Sequence, residues 1–351
     1  MANDATTYIV TGGAGFVGAN LVAELRAREP GCHVLVVDNF RSGSFANIVE
    51  ACERRGLPPF DGWVMPDDIK DLNWHNAVET IHPSAVFHLG AITDTTVTDE
   101  ARMIRANAES FVDILESCVA GGVPLVYASS AATYGAPEQA RAREAFPVEA
   151  AGRPNNVYGF SKWLMEVEHR RALALAEAGR DAPPRVVGLR YFNVFGPGES
   201  RKGHMASMVY QLASRMLRGE PPRVFTPGDQ ARDQVYVDDV VDCTIAAAAP
   251  AAKPGIYNLG SGRATTFNEI IAALREALDI PESRLPTEYF DMPPAVRAFY
   301  QDWTLADMSR TKEGLGWEPR HDPIEAIRLY ASILEAGGRP RSPDERTPAP
   351  S

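Results

Sequence analysis

Tyr158 and Lys162 stand four residues apart in NNVYGFSKWLMEVE, a spacing that suits acid–base chemistry at an alcohol carbon. On a helix this spacing puts both side chains on one face, one turn apart. A free phenol titrates near ~10, too high for a base at neutral pH. A neighbouring lysine ammonium favours the phenolate and lowers that value. A tyrosine tuned in this way takes a hydroxyl proton while hydride leaves the same carbon. Upstream, YASSAATYG (Tyr127 to Gly135) places Ser129 and Ser130 at the end of an apolar stretch. From there Ser130 would bond a substrate hydroxyl or carbonyl oxygen. Tyr-x-x-x-Lys and serine-rich turns are both common, so neither decides anything alone.

A third feature gives them meaning. The stretch YIVTGGAGFVG ends an apolar run with Gly12, Gly15 and Gly18, and Gly13, Gly15 and Gly18 also satisfy G-x-G-x-x-G. The helix-like ANLVAELRARE follows directly. A buried strand, a tight turn and a helix opening at that turn bring a pyrophosphate close to the backbone, over the positive end of the helix. Phe16 and Val17 lie at that opening. About twenty residues on, CHVLVVDNF ends a second strand at Asp38, placed to read an adenosine ribose hydroxyl. A dinucleotide beside Tyr158 adds a positively charged nicotinamide to the groups that favour phenolate.

These groups need a scaffold, and the chain shows one. Candidate strands at 8–11, 33–37, 85–89, 124–128 and 185–191 alternate with candidate helices at 19–28, 74–81, 101–120 and 161–178. That alternation means an α/β fold, a Rossmann-type doubly wound parallel sheet, with ligands at the carboxyl ends of the strands. The segments to watch are 12–18, 38–44, 90–96, 129–135 and 192–198. The second half is less regular. It offers helices at 205–217, 267–278 and 324–336, a strand at 234–241 running into a helix start at Asp238–Asp239, and a strand at 255–259. We expect residues 1–190 to form the dinucleotide-binding domain, with 234–262 returning to it. Residues 191–233 and 263–336 form a smaller C-terminal substrate-binding lobe. Residues 138–156 read as an exposed loop. The tail 337–351, rich in Pro, Gly and charge, reads as disordered.

Bulk properties fit a soluble enzyme. The 351 residues are 45% hydrophobic and 23% charged, with a net charge of −11. A diffuse acidic balance argues against a nucleic-acid partner, which needs a basic face. Cys32, Cys52, Cys118 and Cys243 are scattered without a partnered His, so no metal site or disulfide framework is indicated. No membrane-length apolar run exists, and we expect a cytoplasmic protein.

Taken together, TGGAGFVG, the Ser-rich strand end and Y-x-x-x-K resemble the extended short-chain dehydrogenase/reductase superfamily of nucleotide-sugar enzymes, from Tyr8 to about Tyr330. The run RKGHMAS after FGPGES is similar to the K-G-S-M-A-S segment of the ADP-L-glycero-D-manno-heptose 6-epimerases. YASSAATYG and Tyr300-Gln301 ahead of Thr304 to Asp307 match there too. Three departures stand out: His204 where that family usually has Ser, Phe45 near a family Lys, and the extra tail.

The resemblance implies oxidation at C6 of a nucleotide-activated heptose, rotation about the exocyclic bond, and return of hydride to the other face, in lipopolysaccharide precursor biosynthesis. Two faces call for two proton-handling groups: Tyr158, and Lys202, which reads equally as a diphosphate contact. The resemblance further implies that Gly12, Gly15, Phe16, Val17, Gly18, Asp38 and Asn39 hold the cofactor. It adds Asp68 and Ile69 around the adenine, then Leu89, Gly90, Ala91, Asn107, Val194, Tyr158 and Lys162; Asn107 reads equally as helix packing. The substrate set is Ser130, Asn193, Lys202, His204, Phe225, Arg232 and Tyr300, with Arg232 on the diphosphate. The expected partner is a small-molecule nucleotide sugar and the expected assembly a homo-oligomer. The family mostly uses NADP, tightly bound; Asp38 by itself points to NAD, and Arg41 would neutralise a 2′-phosphate.

Two other readings remain open. A UDP-sugar 4-epimerase would use Ser130, Tyr158 and Lys162 equally well. A non-catalytic dinucleotide-binding protein would not need Tyr158 and Lys162 together. A 4,6-dehydratase would need acidic residues where Ala131 and Ala132 stand.

Overall fold

The computed structural model describes residues 6–95, 97–135, 143–179, 184–297 and 300–337. Strand β1 (Thr7–Thr11) passes through the glycine turn into α1 (Phe16–Arg28), followed by β2 (His33–Val37), α2 (Phe45–Arg54), β3 (Trp63–Met65), α3 (Trp74–Ile81) and β4 (Ala85–His88). Next come α4 (Glu100–Ile104), a π-helical turn at Arg105–Glu109, α5 (Ser110–Ala120), β5 (Leu125–Ser130), α6 (Val157–Glu177) and β6 (Val186–Tyr191). The rest of the chain runs β7 (Asn193–Phe195), α7 (Met208–Leu217), β8 (Arg223–Phe225), β9 (Ala231–Tyr236), α8 (Val237–Ala246) and β10 (Gly255–Leu259). It closes with β11 (Ala264–Thr266), α9 (Phe267–Ala277), β12 (Glu288–Phe290), α10 (Pro294–Arg297), α11 (Ser309–Leu315) and α12 (Pro323–Ala336).

Seven parallel strands in the order β10-β6-β5-β4-β1-β2-β3 form the main sheet. Because side chains alternate along a strand, each strand feeds two cores. Val10, Val34 and Val36 join the core against α1, α2 and α8, while Ile9, Leu35 and Val37 join the one against α3, α5 and α6. The strand order reverses between β1 and β4, the kind of switch point at which open α/β sheets bind ligands. Leu89 N–H bonds the Thr11 carbonyl at 3.1 Å and Gly90 N–H the Thr11 hydroxyl at 3.1 Å, so the segments after β1 and β4 share one mouth. After β6 the chain builds two small sheets, β11-β9-β7 and β12-β8, and rejoins the main sheet through β10. No helix among the described residues is long and apolar enough to cross a membrane.

The expected strands and helices of the first half are present, most with slightly shifted ends, and one helix carries a π turn. Residues 101–120 do not form a continuous α-helix; a π turn separates α4 from α5 at Asn107. The expected loop 138–156 is also corrected over its described part. Phe146 is buried between Tyr134 and Phe192, at 4.8 and 6.3 Å between ring centroids, and Val148 is buried beside it. Residues 136–142 lie outside the described residues. Helix α7 starts at Met208 rather than 205, capped by the Ser207 hydroxyl, and β9 runs into α8 at Val237, one residue before the expected helix start. Helices α2, α10 and α11 and strands β3, β7, β8, β11 and β12 are additional to the expected elements. Of the expected tail, residues 338–351 lie outside the described residues.

Candidate active site

Strand β5 ends at Ser130, and α6 begins nearby with its N-terminus capped by the Asn156 side chain, which accepts from Gly159 N–H at 2.8 Å. The two elements touch because residue 159 is glycine: a Cβ there would stand 2.5 Å from the Ala132 carbonyl oxygen. This approach brings Tyr158 into a side-chain hydrogen bond with Ser130. Lys162, one turn on, is buried and donates from Nζ to the Ala128 carbonyl at 2.8 Å.

Electrostatics here differ from the expectation. Burial raises the Tyr158 phenol above its ordinary value, and the Ser130 hydrogen bond opposes that only in part. Burial also pushes the Lys162 ammonium down to about 7. Lys162 therefore does not depress the phenol in the chain by itself. Both groups are withdrawn from water, which disfavours phenolate and ammonium alike. In the chain by itself burial thus favours the neutral phenol and the neutral amine.

The glycine turn has the build of a dinucleotide cradle. Helix α1 opens at Gly15 with no side-chain cap and no acid in its first turn, so Phe16 and Val17 stand at an uncompensated positive helix end. Gly18 lets the turn close on itself, since its Cβ would meet the Gly12 carbonyl oxygen at 2.1 Å. Asp38 ends β2, but both its oxygens accept backbone N–H groups, Ala14 at 2.9 Å and Phe40 at 2.8 Å. It braces the glycine turn, and burial raises its carboxyl above the ordinary value. Asn39 donates to Asp68 at 3.0 Å, which caps a short 3-10 turn beginning at Ile69. Arg41 faces Arg102 closely enough for their like charges to oppose each other, with Asp68 and Asp38 as nearby anions.

Asn107 requires a correction. It is fully buried, accepts from Ile92 N–H at 2.7 Å, and donates to the Ile92 carbonyl at 2.9 Å and the Ser161 hydroxyl at 3.0 Å. It joins the segment after β4 to α6 and has no surface left for a cofactor.

Phe225, Arg232 and Tyr300 come together as expected. The Arg232 guanidinium lies 4.8 Å from the Tyr300 ring and 6.0 Å from that of Phe267; Phe225 meets Tyr300 edge-on at 5.5 Å and Phe290 at 4.8 Å. An aromatic cluster with a planar cation has the chemistry to suit a base and diphosphate. Asn193 is exposed and Val194 half-buried where β7 pairs with β9. His204 is largely exposed, with Nε2 3.8 Å from an Asp94 oxygen. The Lys202 ammonium lies over the Phe16 ring at 5.4 Å, beside the glycine turn. Arg201 fixes the same segment to α2, bonding Asn47 and Glu50 at 2.9 Å each.

Sequence reasoning missed the support beneath the site. Glu166 and Arg190 form a fully buried two-point ion pair, with both contacts at 2.7 Å. Glu166 also accepts from the Ser129 hydroxyl at 2.6 Å, and Arg190 donates to the Tyr134 hydroxyl at 2.8 Å. The signal was available: Tyr158, Lys162 and Glu166 continue one i, i+4 row.

A parallel sheet with a glycine turn, a Ser-Tyr-Lys group and a separate aromatic cluster around an arginine fit a dinucleotide-dependent enzyme of small molecules. The profile of the NAD dependent epimerase/dehydratase family matches residues 8–260, and the chain belongs to that family. It is 38% identical over 350 residues to an ADP-L-glycero-D-manno-heptose-6-epimerase of Cupriavidus pinatubonensis, covering 94% of this chain and 99% of that one. Among solved structures it is similar to the ADP-L-glycero-D-manno-heptose-6-epimerase of Helicobacter pylori, with TM-score 0.79, 32% identity, and 95% and 97% of the two chains covered. It is also similar to a UDP-glucose 4-epimerase of Thermotoga maritima, with TM-score 0.78, 28% identity, and 95% and 99% covered.

Proposed function

We propose that the chain interconverts ADP-D-glycero-D-manno-heptose and ADP-L-glycero-D-manno-heptose, a step in lipopolysaccharide precursor biosynthesis. The observation that carries this reading is the segment RKGHMAS, whose Lys202 leans over the glycine turn while Ser130, Tyr158 and Lys162 meet at the end of β5. The 38% identity to a heptose epimerase supports it. Residues 1–190 with 234–262 would hold the cofactor, and 191–233 with 263–336 the nucleotide sugar, in a cytoplasmic homo-oligomer.

When bound, the oxidised dinucleotide supplies a hydride acceptor that later returns the hydride. The opening of α1 with Gly12, Gly15, Phe16 and Val17 would hold its diphosphate, Asn39, Asp68 and Ile69 its adenosine end, and Leu89 to Ala91, Val194, Tyr158 and Lys162 its nicotinamide end. Ser130 holds the sugar oxygen, and Tyr158 takes or gives the proton there. Rotation about the exocyclic bond carries that oxygen away from Tyr158. Lys202 handles the proton on the second face. Asn193 and His204 border the sugar, and Phe225, Arg232 and Tyr300 grip the nucleotide. Purified protein should convert one ADP-heptose epimer to the other, followed by NMR at C6, with no net production of reduced cofactor. Conversion of UDP-glucose with none of the ADP-heptose would favour the 4-epimerase reading instead. Lys202→Met should stop inversion yet let one epimer form enzyme-bound reduced cofactor, seen by absorbance. Near-normal kcat at saturating substrate would make Lys202 a diphosphate contact, since only uniform binding would then be lost.

We read the cofactor as NADP, tightly held, because Arg41 and Arg102 converge close to Asp38 at the end of the second strand. Converging guanidinium groups lose their mutual repulsion when a phosphate lies between them. Replacing both with Ala should weaken NADP about tenfold, 1.4 kcal/mol, and NAD much less. Titration calorimetry with each dinucleotide checks this, and equal weakening of both would overturn it.

A further inference from the structure

The segment carrying Lys202 is built around a carboxylate that the reaction does not touch. Glu199 is fully buried. Its oxygens accept from Gly196 N–H at 3.0 Å, Ser207 N–H at 2.6 Å and the Ser207 hydroxyl at 2.9 Å, and the Tyr330 hydroxyl of α12 bonds it as well. Its own carbonyl accepts from Lys202 N–H at 2.9 Å. One side chain thus joins both ends of the 196–207 segment and ties it to the last helix. The same segment is fastened at its outer side, where the Pro197 carbonyl accepts from Asn20 at 2.9 Å and Arg201 reaches Asn47 and Glu50. The Lys202 ammonium lies over the Phe16 ring at 5.4 Å, within electrostatic reach of Glu199 but not in direct contact with it.

A buried carboxylate held by hydrogen bonds alone is expensive unless a cation shares its surroundings. The charged or titratable groups facing Glu199 are Lys202 from its own segment and Tyr330 from α12. We propose that Glu199 is a positioning residue for Lys202, aiming its ammonium through the stapled segment and keeping it charged as a buried counter-ion. This rests on Lys202 as the second proton-handling group. Glu199 touches neither sugar nor cofactor and acts through Lys202.

The effect has a fixed sign. Burial lowers the Lys202 ammonium from its ordinary value, and Glu199 opposes that shift. Glu199→Gln keeps the shape, removes the charge and leaves burial unopposed. Competitive trace acetylation over a pH series, read on the Lys202 peptide by mass spectrometry, should show the Lys202 titration moved to lower pH. Ser207→Ala loosens the staple but keeps the charge, and should leave the Lys202 midpoint in place. An unmoved midpoint in Glu199→Gln, or an equal shift in Ser207→Ala, would overturn the proposal.

Should Glu199→Gln fail to fold, the reciprocal measurement decides. Burial raises the Glu199 carboxyl, so its contribution to stability is lost as pH rises from the ordinary glutamate value through the folded one. Lys202→Met removes the opposing cation and raises Glu199 further. Its melting temperature should fall below wild type by more at neutral pH than at a pH below the ordinary glutamate value. An equal deficit at both would overturn the pairing. Neither readout needs substrate. Inactivity of wild type on ADP-heptose together with these shifts would therefore reject the substrate reading and keep the Glu199–Lys202 pairing.

Discussion

Tyr158→Phe is expected to fold, to retain its dinucleotide and to lose at least ~10²-fold in turnover, the usual worth of a positioned general acid–base group. The substitution removes one hydroxyl whose partner in the chain is Ser130. Losing a single hydrogen bond of this kind costs about 1 kcal/mol of stability. The ring stays, so the packing of α6 against the end of β5 is unchanged. In the reaction the same hydroxyl is the atom that moves the proton. If that interaction is made only in the transition state, kcat and kcat/KM should fall together. Stopped-flow turnover on cofactor-loaded protein, with cofactor content measured after denaturation, makes the comparison. Wild-type turnover in a loaded mutant would end the role assigned to Tyr158.

Arg190→Met should produce the largest loss of stability. It removes the cation from a fully buried pair and leaves Glu166 with Arg170, a half-exposed partner at 3.0 Å. Breaking such a pair from one side costs about 3–5 kcal/mol, because a charge remains buried without its counter-ion. Arg190 also bonds Tyr134 at 2.8 Å and the Val148 carbonyl at 2.7 Å, so the aromatic cluster under the 131–134 turn loosens with it. The double variant Glu166→Met/Arg190→Met removes both charges and should recover much of the loss. Urea unfolding midpoints for the two variants decide this. A single variant as stable as wild type would show that Arg170 and Ser129 suffice to hold Glu166.

The sequence by itself determined the local parts of this protein. The alternation of apolar runs and helical stretches fixed a doubly wound parallel sheet, because each such unit leaves one way to bury both faces of its strand. The glycine spacing after β1 and the four-residue spacing of Tyr158 and Lys162 were legible for a similar reason, since helix and turn geometry depend only on neighbours in the chain. Only the tertiary structure decided the rest. The sequence pointed to Asp38 as a ribose ligand, and only folding showed that its oxygens also accept the backbone N–H groups of Ala14 and Phe40 and so brace the glycine turn. Asn107 looked equally like a cofactor contact, yet folding buried it against Ile92 and Ser161. Glu166 finds Arg190 across 24 residues, Arg232 finds Tyr300 across 68, and Lys202 finds Phe16 across 186. Ionisation follows the same division. The Tyr–Lys spacing suggested a depressed phenol, whereas the burial that raises Tyr158 and brings Lys162 to about 7 comes from packing by distant segments, which no local pattern encodes.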